Sequence, residues 1–593
     1  MESLNAPERD VAAPPGGIDR VSTPTPAGEG PPPGPNPSLD GGPSGNKAPT
    51  PLRNVLRRDT AFRLLLVLLL FLPALLTLGD YGVTWDEPIY QAAADEIRQW
   101  FREAPGSLLS EEAIRRRWDT DPARNVHPSG VKLLYVAAGA LFPWVDDPFT
   151  RNRALNALLF AVAASTFLFW RHRGKVLTAA LSAVVLMTVP RFFAHLHFAA
   201  TDLPMTSLLL LLVVAAHRVE RPSRAVACGV LLGLLACVKI TGAVLGVAVL
   251  LGRLAIARGD RAGVLRRCLV AAAVSLAVFY VLNPNWWFSP METGRWFVGQ
   301  SVGRLGWAPI ATWFGGQFYP ARCPAHYPFT VFWLTTPLLH VVAVCAGAVA
   351  AVALRAVRRG ARTALLLPMA LLPFLLMVLP FSPTNDGERY LLPAYPFLAE
   401  LAVLGAVSLP RRLARRARVA RTLPPRLKTA LALPPGLLLV VLGAAATATT
   451  HPYQLSYYAS QAGGLGGAAA AGYEVSYWWD PLNDRNLAAL DRHCRGRRVY
   501  WPFAPDERFF VYAIRAGKVR FLPVGDPRGA DFVLLYSRPY LAYWEAETAK
   551  ELAALGRRME RCWEVRLQGV PLLSLHRVVA PAPFPLPTRR PPA

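Results

Sequence analysis

Cysteine is scarce in this sequence, with seven in 593 residues. So few thiols exclude a small scaffold built on disulfides. Those in apolar runs, where we expect buried thiols, are Cys228, Cys237, Cys268 and Cys345. Cys494 and Cys562 lie in the polar C-terminal region. They could pair if that region faces an oxidising compartment, and the sequence leaves this open.

Acidic residues are also few, 39 against 64 lysines and arginines, which gives a net charge of +25. Such a surplus of positive charge can indicate a nucleic-acid partner. Here the basic residues cluster between hydrophobic runs instead of along one soluble face, which argues against nucleic acid. We therefore interpret the positive charge as a topology signal of a membrane protein.

Apolar runs dominate what is present. Residues 62–79, "FRLLLVLLLFLPALLTLG", are about as long as the roughly 20 residues that cross a bilayer. Similar runs follow, so the pattern predicts a polytopic α-helical membrane protein with about 11 transmembrane helices. The predicted spans are 62–79, 149–170, 176–190, 203–216, 225–238, 241–257, 264–282, 329–354, 363–381, 391–409 and 429–449.

The two ends of the chain differ in composition from this core. Residues 1–51 are rich in proline and glycine and have no apolar periodicity, which predicts a disordered cytoplasmic tail. The start lacks the charged-then-apolar pattern of a cleaved signal peptide, so we expect residues 62–79 to remain as a signal anchor. The end, "APAPFPLPTRRPPA", is a proline-rich tail.

The basic residues also predict an orientation. With the N-terminus in the cytoplasm, the connections on that side, such as "RHRGK" and "RAVRRGAR", are all rich in arginine. The short connections on the other side have one basic residue each, as the positive-inside rule requires. An odd number of spans then puts loops 80–148 and 283–328, and residues 451–593, outside an inner (plasma) membrane. The predicted transmembrane domain is 52–450.

Residues 451–593 alternate short strand-like runs with helical ones. The strand-like runs are "RRVYWPF", "KVRFLPV", "ADFVLLYS" and "VPLLSLHRV", and the helical ones are "DERFFVYAIRAG" and "YWEAETAKELAALGRRME". This pattern predicts a small extracytoplasmic α/β domain. No internal repeat is evident in the chain.

The first outer loop carries Asp86 and Glu87 just after the first span. The amphipathic stretch that follows, "YQAAADEIRQWFREAP", suits a helix lying on the membrane surface. Then His127 and Pro128 introduce an apolar run too short to span easily. We expect a half-buried helix that returns to the outer face and brings His127 and Lys132 near Asp86.

Three further ionisable groups lie at predicted outer ends of spans: Asp202 in "ATDLP", Lys239 in "VKITG" and Arg389 in "NDGERY". Each also has a plain structural interpretation. Asp202 could cap a helix, Lys239 could extend to the interface, and Arg389 could be a rim charge. The tryptophans of "NPNWWFSP" suit an aromatic belt.

The triplet Asp119–Thr120–Asp121 is similar to the metal-binding triplet of nucleotide-sugar enzymes. It is short and Pro122 follows it, which favours a solvated turn.

The occurrence of several ionisable residues at the same predicted membrane edge favours a catalytic site. Ionisable residues at a membrane edge are costly unless they are paired or used. A group-transfer enzyme acting on a lipid-linked substrate needs a carboxylate to deprotonate a hydroxyl and cations to stabilise a phosphate leaving group. A transporter should instead place charges near span centres, where this sequence has few, Glu400 and His340 being the exceptions. A structural protein with incidental carboxylates is a third interpretation.

The ordered motifs "TWDEPIY", "HPSGVKLL", "PRFFAHLHFAATDLP", "LLACVKITG", "YVLNPNWWFSP" and "DGERYLLPAYPFLA" resemble bacterial glycosyltransferase family 39 of the GT-C class. That family includes protein O-mannosyltransferases and, more remotely, the aminoarabinose transferases of lipid A. The resemblance covers roughly residues 60–410. It implies inverting transfer of a sugar from a polyprenyl-phosphate carrier to an acceptor hydroxyl.

The resemblance also implies roles for individual residues. Asp86 and Glu87 match the catalytic acidic pair, with Asp86 as the base. Asp202 matches a second acidic position, and Lys239 and Arg389 match basic positions suited to the donor phosphate, with His127 and Lys132 nearby. Ser129 and Gly130 depart from the family's "HPPL" motif. A divalent metal shared by Glu87 and Asp202 is left open. The MIR domain of eukaryotic members has no counterpart here, so the acceptor could be a protein, a lipid or a polysaccharide.

Overall fold

Most of the helices described between Leu52 and Thr449 in the computed structural model are apolar, and a mixed α/β region follows them. The structure describes residues 52–580 apart from 104–105, 107, 119–126, 174, 258, 303–311, 321, 354–363, 381, 383, 385, 409–433, 479, 503–506 and 539–541. The predicted tail 1–51, the Asp119–Asp121 triplet and the last residues from 581 lie outside this described part. From Leu56 onward the chain belongs to one compact unit.

The α-helices of the apolar part are α1 (Leu52–Leu76), α2 (Glu87–Trp100), α3 (Glu111–Trp118), α4 (Gly130–Leu141), α5 (Pro148–His172), α6 (Val176–Met187), α7 (Pro190–His195), α8 (Asp202–Ala216), α9 (Pro222–Val238), α10 (Ile240–Ile256), α11 (Arg261–Leu282), α12 (Pro290–Val302), α13 (Tyr327–Thr335), α14 (Leu338–Ala353), α15 (Leu366–Val378), α16 (Tyr395–Val403) and α17 (Pro434–Thr449). Short 3₁₀ turns lie at Leu78–Asp80, Pro284–Trp286 and Arg389–Ala394. A two-stranded antiparallel hairpin, β1 (Thr312–Phe314) and β2 (Gln317–Tyr319), interrupts the second long loop.

Among the described helices, four are long and apolar enough to cross a membrane: Arg58–Asp80, Pro148–His172, Arg261–Leu282 and Arg389–Val407. Shorter apolar helices of 10–17 residues accompany them. Over its described residues, each predicted span overlaps one or more helices. At 1.5 Å per residue, a 12-residue helix is shorter than the hydrocarbon core of a bilayer. The number of 11 transmembrane helices therefore stays a prediction.

Two helical predictions need correction. The span expected over 329–354 consists of α13 and α14, because Pro337 cannot continue the hydrogen-bond ladder of a helix. Helix α2 forms where the amphipathic stretch predicted a helix, but its apolar face is not free to lie on a membrane. Tyr90, Ala94 and Ile97 on that face are buried, and α2 packs on α4 and α3.

The C-terminal region contains a five-stranded mixed sheet in the order β4-β3-β5-β7-β6. Its strands are β3 (Arg498–Tyr500), β4 (Leu522–Val524), β5 (Phe532–Tyr536), β6 (Arg558–Leu567) and β7 (Val570–Val579). Its helices are α18 (Gly464–Ala470), α19 (Asp484–Cys494), α20 (Glu507–Arg515) and α21 (Ala542–Ala554). Strand β3 pairs in parallel with β4 and β5, and β7 pairs antiparallel with β5 and β6.

The predicted α/β character and four of the strands agree with this sheet. Strand β6 was missed because "RRME" was joined to the preceding helix, whereas the chain turns at Gly556, where φ is +65°, and enters β6 at Arg558. The core of the sheet also takes in Val83 from the first long loop and Phe149 from the start of α5. The division between 52–450 and 451–593 as separate domains stays a prediction.

The cysteines are free thiols. Cys228 and Cys237 are buried as expected, and Cys268 is half-buried. Cys345 is exposed, contrary to the prediction, because α14 packs through the opposite face, where Gly347 approaches Leu401 and Gly405. Cys494 is buried and Cys562 is exposed.

Candidate functional site

Four residues from distant parts of the sequence converge around one guanidinium group. Arg389 Nη2 lies 2.5 Å from Asp86 Oδ2, and Arg389 Nε donates to Asp202 Oδ2 at 2.8 Å. Lys239 Nζ donates to the other oxygen, Asp202 Oδ1, at 2.7 Å. The structure thus brings together Asp86, Asp202, Lys239 and Arg389, which the sequence placed at the ends of separate predicted spans. We call these four residues the central cluster.

Each member is placed by the end of a helical element. Asp202 is the first residue of α8. Lys239 interrupts the path from α9 to α10 with an extended backbone, φ −163° and ψ 142°. Arg389 opens the 3₁₀ turn Arg389–Ala394. The chain changes direction at the end of a helix. Side chains from the ends of several helices can therefore meet at one point, as these do.

A tight turn positions Arg389. Asp386 and Gly387 both have left-handed backbones, with φ of 60° and 59°. A side chain on Gly387 would meet the Tyr477 ring at 3.2 Å and Arg191 Nη1 at 3.3 Å, so glycine suits this position on two counts. The turn lets Asp386 Oδ2 accept from Arg389 Nη1 at 3.3 Å.

Asp86 is the most accessible carboxylate of the central cluster. Its side chain is 17% exposed, whereas that of Asp202 is 1% exposed. Burial raises the pKa of Asp86, Arg389 opposes this, and the charges of Asp386 and Asp202 raise the pKa further. A carboxylate with a raised pKa that reaches solvent has the properties of a general base.

Glu87, next to Asp86, has a different environment. Its two oxygens accept from Arg153 Nε and Nη2, both at 2.7 Å, in a fork-to-fork pair. They also accept from the backbone N–H of Thr84 and of Ala199, each at 2.8 Å. Arg153 in turn donates to the carbonyl of Gly82 at 2.7 Å. Glu87 therefore holds the loop that carries Asp86, and the structure excludes simple solvation of its carboxylate.

A second buried ion pair lies beside the central cluster. Arg191 Nη1 donates to Glu388 Oε2 at 2.7 Å, and Arg191 Nε donates to the Tyr457 carbonyl at 2.9 Å. Tyr477 donates to Glu388 Oε1 at 3.3 Å, and its hydroxyl lies 3.0 Å from His195 Nε2. Burial lowers the pKa of His195 to about 3, so this histidine is neutral at ordinary pH.

His127 and Lys132 line the same small pocket. Its walls are Trp118, His127, Pro128, Ser129, Lys132, Asn285, Trp286, Thr293, Trp296 and Phe297. Lys132 Nζ donates to the His127 carbonyl at 2.9 Å, and the His127 ring lies 6.1 Å from the Tyr90 ring. A role for His127 and Lys132 towards a donor phosphate stays a prediction.

Ser129 and Gly130 fit the start of α4 for local reasons. The Ser129 N–H donates to Asn283 Oδ1 at 3.0 Å, and its hydroxyl bonds the Leu282 carbonyl. A side chain at Gly130 would meet the Cys237 backbone at 2.8 Å. The departure from the "HPPL" motif therefore matches a close approach of α4 to the end of α9.

The proposed metal ligands do not suit a cation. Both oxygens of Glu87 are bonded by Arg153 and backbone N–H groups, and both oxygens of Asp202 are bonded by Lys239 and Arg389. Within the described residues, no group of three or more His, Cys, Asp or Glu side chains is arranged to hold a metal ion. We assign no step to a metal.

Several site residues escaped prediction. Arg153 and Arg191 lie in or beside apolar helices, and an arginine buried there is a signal in itself, because it requires a partner. Trp478 covers the Arg389 guanidinium at 4.1 Å, and Arg538 lies 3.4 Å from Asp386. No local pattern marks these two residues, since they approach from the C-terminal region.

Asp480 is a buried carboxylate beside this arrangement, 1% exposed, and its Oδ1 accepts from the Ser476 hydroxyl at 2.6 Å. Within the described residues its Oδ2 has no hydrogen-bond partner. Burial raises the pKa of Asp480 to about 7, while the Ser476 hydrogen bond and Arg191 oppose the rise. The folded chain therefore retains a proton between about pH 4 and 7 that the unfolded chain releases.

Stability should consequently fall as pH rises through that window, since the unfolded state binds fewer protons. We expect Asp480→Asn to remove this dependence of stability on pH. Above pH 7 its free energy of unfolding should exceed that of the wild type by about 2–4 kcal/mol. Thermal unfolding in detergent from pH 4 to 9 measures it. Asp484→Asn, in an exposed carboxylate at the start of α19, should keep the wild-type slope. A loss of stability in Asp480→Asn at pH 8 would show that the carboxylate is charged and needed.

Comparison with known proteins finds one family model that matches part of the chain. The model of glycosyltransferase family 87 matches residues 129–383, which is less than half of the chain. The match contains Asp202 and Lys239 but ends before Arg389 and begins after Asp86. Like the family that the sequence motifs resemble, this family consists of glycosyltransferases. No curated protein matches the chain.

Two solved structures are similar over most of their lengths. One is ArnT from Cupriavidus metallidurans bound to undecaprenyl phosphate, with 13% identity, a TM-score of 0.45, and coverage of 88% of this chain and 98% of ArnT. The other is the oligosaccharyltransferase AglB from Archaeoglobus fulgidus in complex with an inhibitory peptide and a dolichol-phosphate, with 13% identity, a TM-score of 0.47, and coverage of 90% and 75%.

Proposed function

We propose that this protein is an inverting membrane glycosyltransferase of the GT-C class. It moves a sugar from a polyprenyl-phosphate carrier to an acceptor hydroxyl on the outer face of the inner (plasma) membrane. The observation that carries the proposal is the central cluster, in which the accessible carboxylate of Asp86 pairs with Arg389, and Asp202 links Arg389 to a second cation, Lys239. The match to a glycosyltransferase family over residues 129–383 supports the same reaction class.

Asp86 is the base. It takes the proton of the acceptor hydroxyl as the bond from the anomeric carbon to the phosphate oxygen breaks and the new glycosidic bond forms. Arg389 and Lys239 stabilise the negative charge that the phosphate gains. Their present partners are carboxylates, so a bound phosphate shares or replaces the ion pairs to Asp86 and Asp202.

Asp202 and Glu87 have supporting roles in this scheme. Asp202 bonds both cations and fixes their spacing. Glu87, through Arg153 and the backbone of Thr84, fixes the loop in front of Asp86. A family 39-like preference for mannose, or for another hexose or pentose, is part of the proposal, and so is a role in glycosylation of the cell envelope.

The test uses proteoliposomes that contain the full chain and a polyprenyl-phosphate-linked mannose. We expect mannose transfer to a soluble hydroxyl acceptor together with release of polyprenyl phosphate. Proteoliposomes carrying Lys239→Met, which removes one cation from the central cluster, are the matched control and should release far less. Translocation of the intact lipid-linked sugar without bond cleavage would show a flippase instead, and would contradict the proposal.

A further inference from the structure

Trp478 is an aromatic residue that contacts the guanidinium group of Arg389 in the central cluster. Its ring lies 4.1 Å from Arg389 Cζ, and it is 3% exposed. The ring also contacts His195 and Phe198, with centroid distances of 5.3 and 5.6 Å. The residue follows the last apolar helix, so the C-terminal region supplies one wall of the site.

The backbone of Trp478 is strained. Its φ is +67°, a left-handed conformation that bulky residues rarely adopt. Such a conformation persists only when neighbouring contacts impose it. Here Tyr477, just before Trp478, bonds Glu388. The hydrogen bond between Ser476 and Asp480 joins the residues that flank Trp478. The strained backbone places the Trp478 indole over the Arg389 guanidinium.

The segment is also anchored to the C-terminal sheet. Arg538, which follows β5, donates from Nε to Glu474 Oε1 at 3.1 Å, and its Nη2 lies 3.4 Å from Asp386 Oδ1. Tyr536 of β5 donates to the Ser476 hydroxyl at 2.7 Å. These contacts connect the segment before Trp478, and the turn that carries Arg389, to the end of β5.

The geometry leaves little freedom to Arg389. The edges of its guanidinium group pair with Asp86, Asp202 and Asp386, and the Trp478 indole covers one face of that group. A guanidinium is planar and its donors lie in that plane, so contacts at the edges and on the face together fix its orientation. An alternative role for Trp478, as a stacking platform for an acceptor sugar, requires an open ring face, which a nearly buried indole does not offer.

We propose that Trp478 is a positioning residue that holds the Arg389 guanidinium in the plane in which it meets Asp86 and the donor phosphate. The assignment rests on the proposed function as far as the phosphate is concerned. It makes the C-terminal region a structural part of the site.

The test compares Trp478→Leu, which removes the ring, with Trp478→Phe, which restores one. Farnesyl phosphate serves as the probe, and its affinity for the purified full chain is measured in detergent together with donor KM and kcat. Loss of a desolvated cation–π contact predicts an affinity reduced about 5- to 30-fold in Trp478→Leu and largely recovered in Trp478→Phe. Trp501→Leu, which removes a buried tryptophan from the core of the C-terminal sheet, should leave this affinity unchanged.

A double variant decides whether Trp478 acts through Arg389. If it does, adding Trp478→Leu to Arg389→Gln should change the affinity less than twofold further, because Arg389→Gln has already removed the cation from the indole face. Multiplicative effects, equal losses in Trp478→Leu and Trp478→Phe, or a change confined to acceptor KM would overturn the proposal.

The same variants separate this proposal from the proposed function. If the wild type neither binds farnesyl phosphate nor cleaves the donor, the proposed function fails. The thermal-unfolding midpoints of the two single variants and the double variant then decide the positioning role. Non-additive shifts support the Trp478–Arg389 contact, and additive shifts overturn it.

Discussion

Replacing Asp86 with asparagine should abolish most sugar transfer while leaving the folded protein intact. Asparagine has the same shape and can still accept from Arg389, but it cannot remove a proton from the acceptor. Because a general base contributes about 10²–10⁴-fold to rate, we expect kcat to fall by about that factor. Transfer of labelled mannose from a polyprenyl-phosphate donor by the purified variant measures it.

The pH profile sharpens this test. Burial and the nearby Asp386 and Asp202 carboxylates raise the pKa of Asp86, although Arg389 opposes them. The base must be deprotonated, so transfer should fall as pH drops through that raised pKa, above the range of an ordinary aspartate. Asp86→Asn should lose this acidic limb from its residual activity.

Asp95→Asn is the matched control, since it makes the same chemical change on α2 in a side chain that is 45% exposed and pairs with Arg98. It should transfer at the wild-type rate. Wild-type transfer by Asp86→Asn would instead remove Asp86 from the role of base.

Replacing Glu87 with glutamine should destabilise the protein strongly. The Glu87 side chain is 0% exposed and that of Arg153 is 4% exposed. The change therefore leaves the Arg153 guanidinium buried without a compensating negative charge. Breaking a buried ion pair by removing one partner costs about 3–5 kcal/mol. The expected result is a large drop in the thermal-unfolding midpoint in detergent and a low yield of folded protein.

Glu111→Gln provides the comparison. It breaks an exposed pair with Arg115 at i,i+4, worth about 0.3–0.5 kcal/mol, and should leave the midpoint nearly unchanged. The double variant Glu87→Leu with Arg153→Met, which removes both charges, should recover part of the stability that Glu87→Gln loses. A Glu87→Gln protein that keeps wild-type stability yet loses transfer would show that Glu87 takes part in the chemistry.

Much of the site was predictable because its residues are chemically conspicuous. Aspartates, a lysine and an arginine at the ends of apolar runs stand out, since such charges are costly there unless paired. That reasoning found Asp86, Asp202, Lys239 and Arg389, and the structure places these four side chains in contact. It could not find which carboxylate pairs with which cation, because pairing depends on how α5, α8 and the Arg389 turn pack.

The same distinction applies to the fold. Apolar runs located the helices, and strand-like runs located most of the C-terminal sheet, because local composition and periodicity carry that information. The break at Pro337 and strand β6 were missed because each run was assigned to one helix, although Pro337 and Gly556 mark the two boundaries.

The sequence by itself determined that the chain is helical and apolar, where its helices lie, and which charges need partners. These follow from hydrophobicity, periodicity and the cost of burying a charge. Only the tertiary structure decided that Glu87 is held by Arg153, that Asp86 is the accessible carboxylate, and that Trp478 covers Arg389. Those contacts join residues 66 to 303 positions apart or come from different regions of the chain, and such long-range geometry leaves no local trace in the sequence.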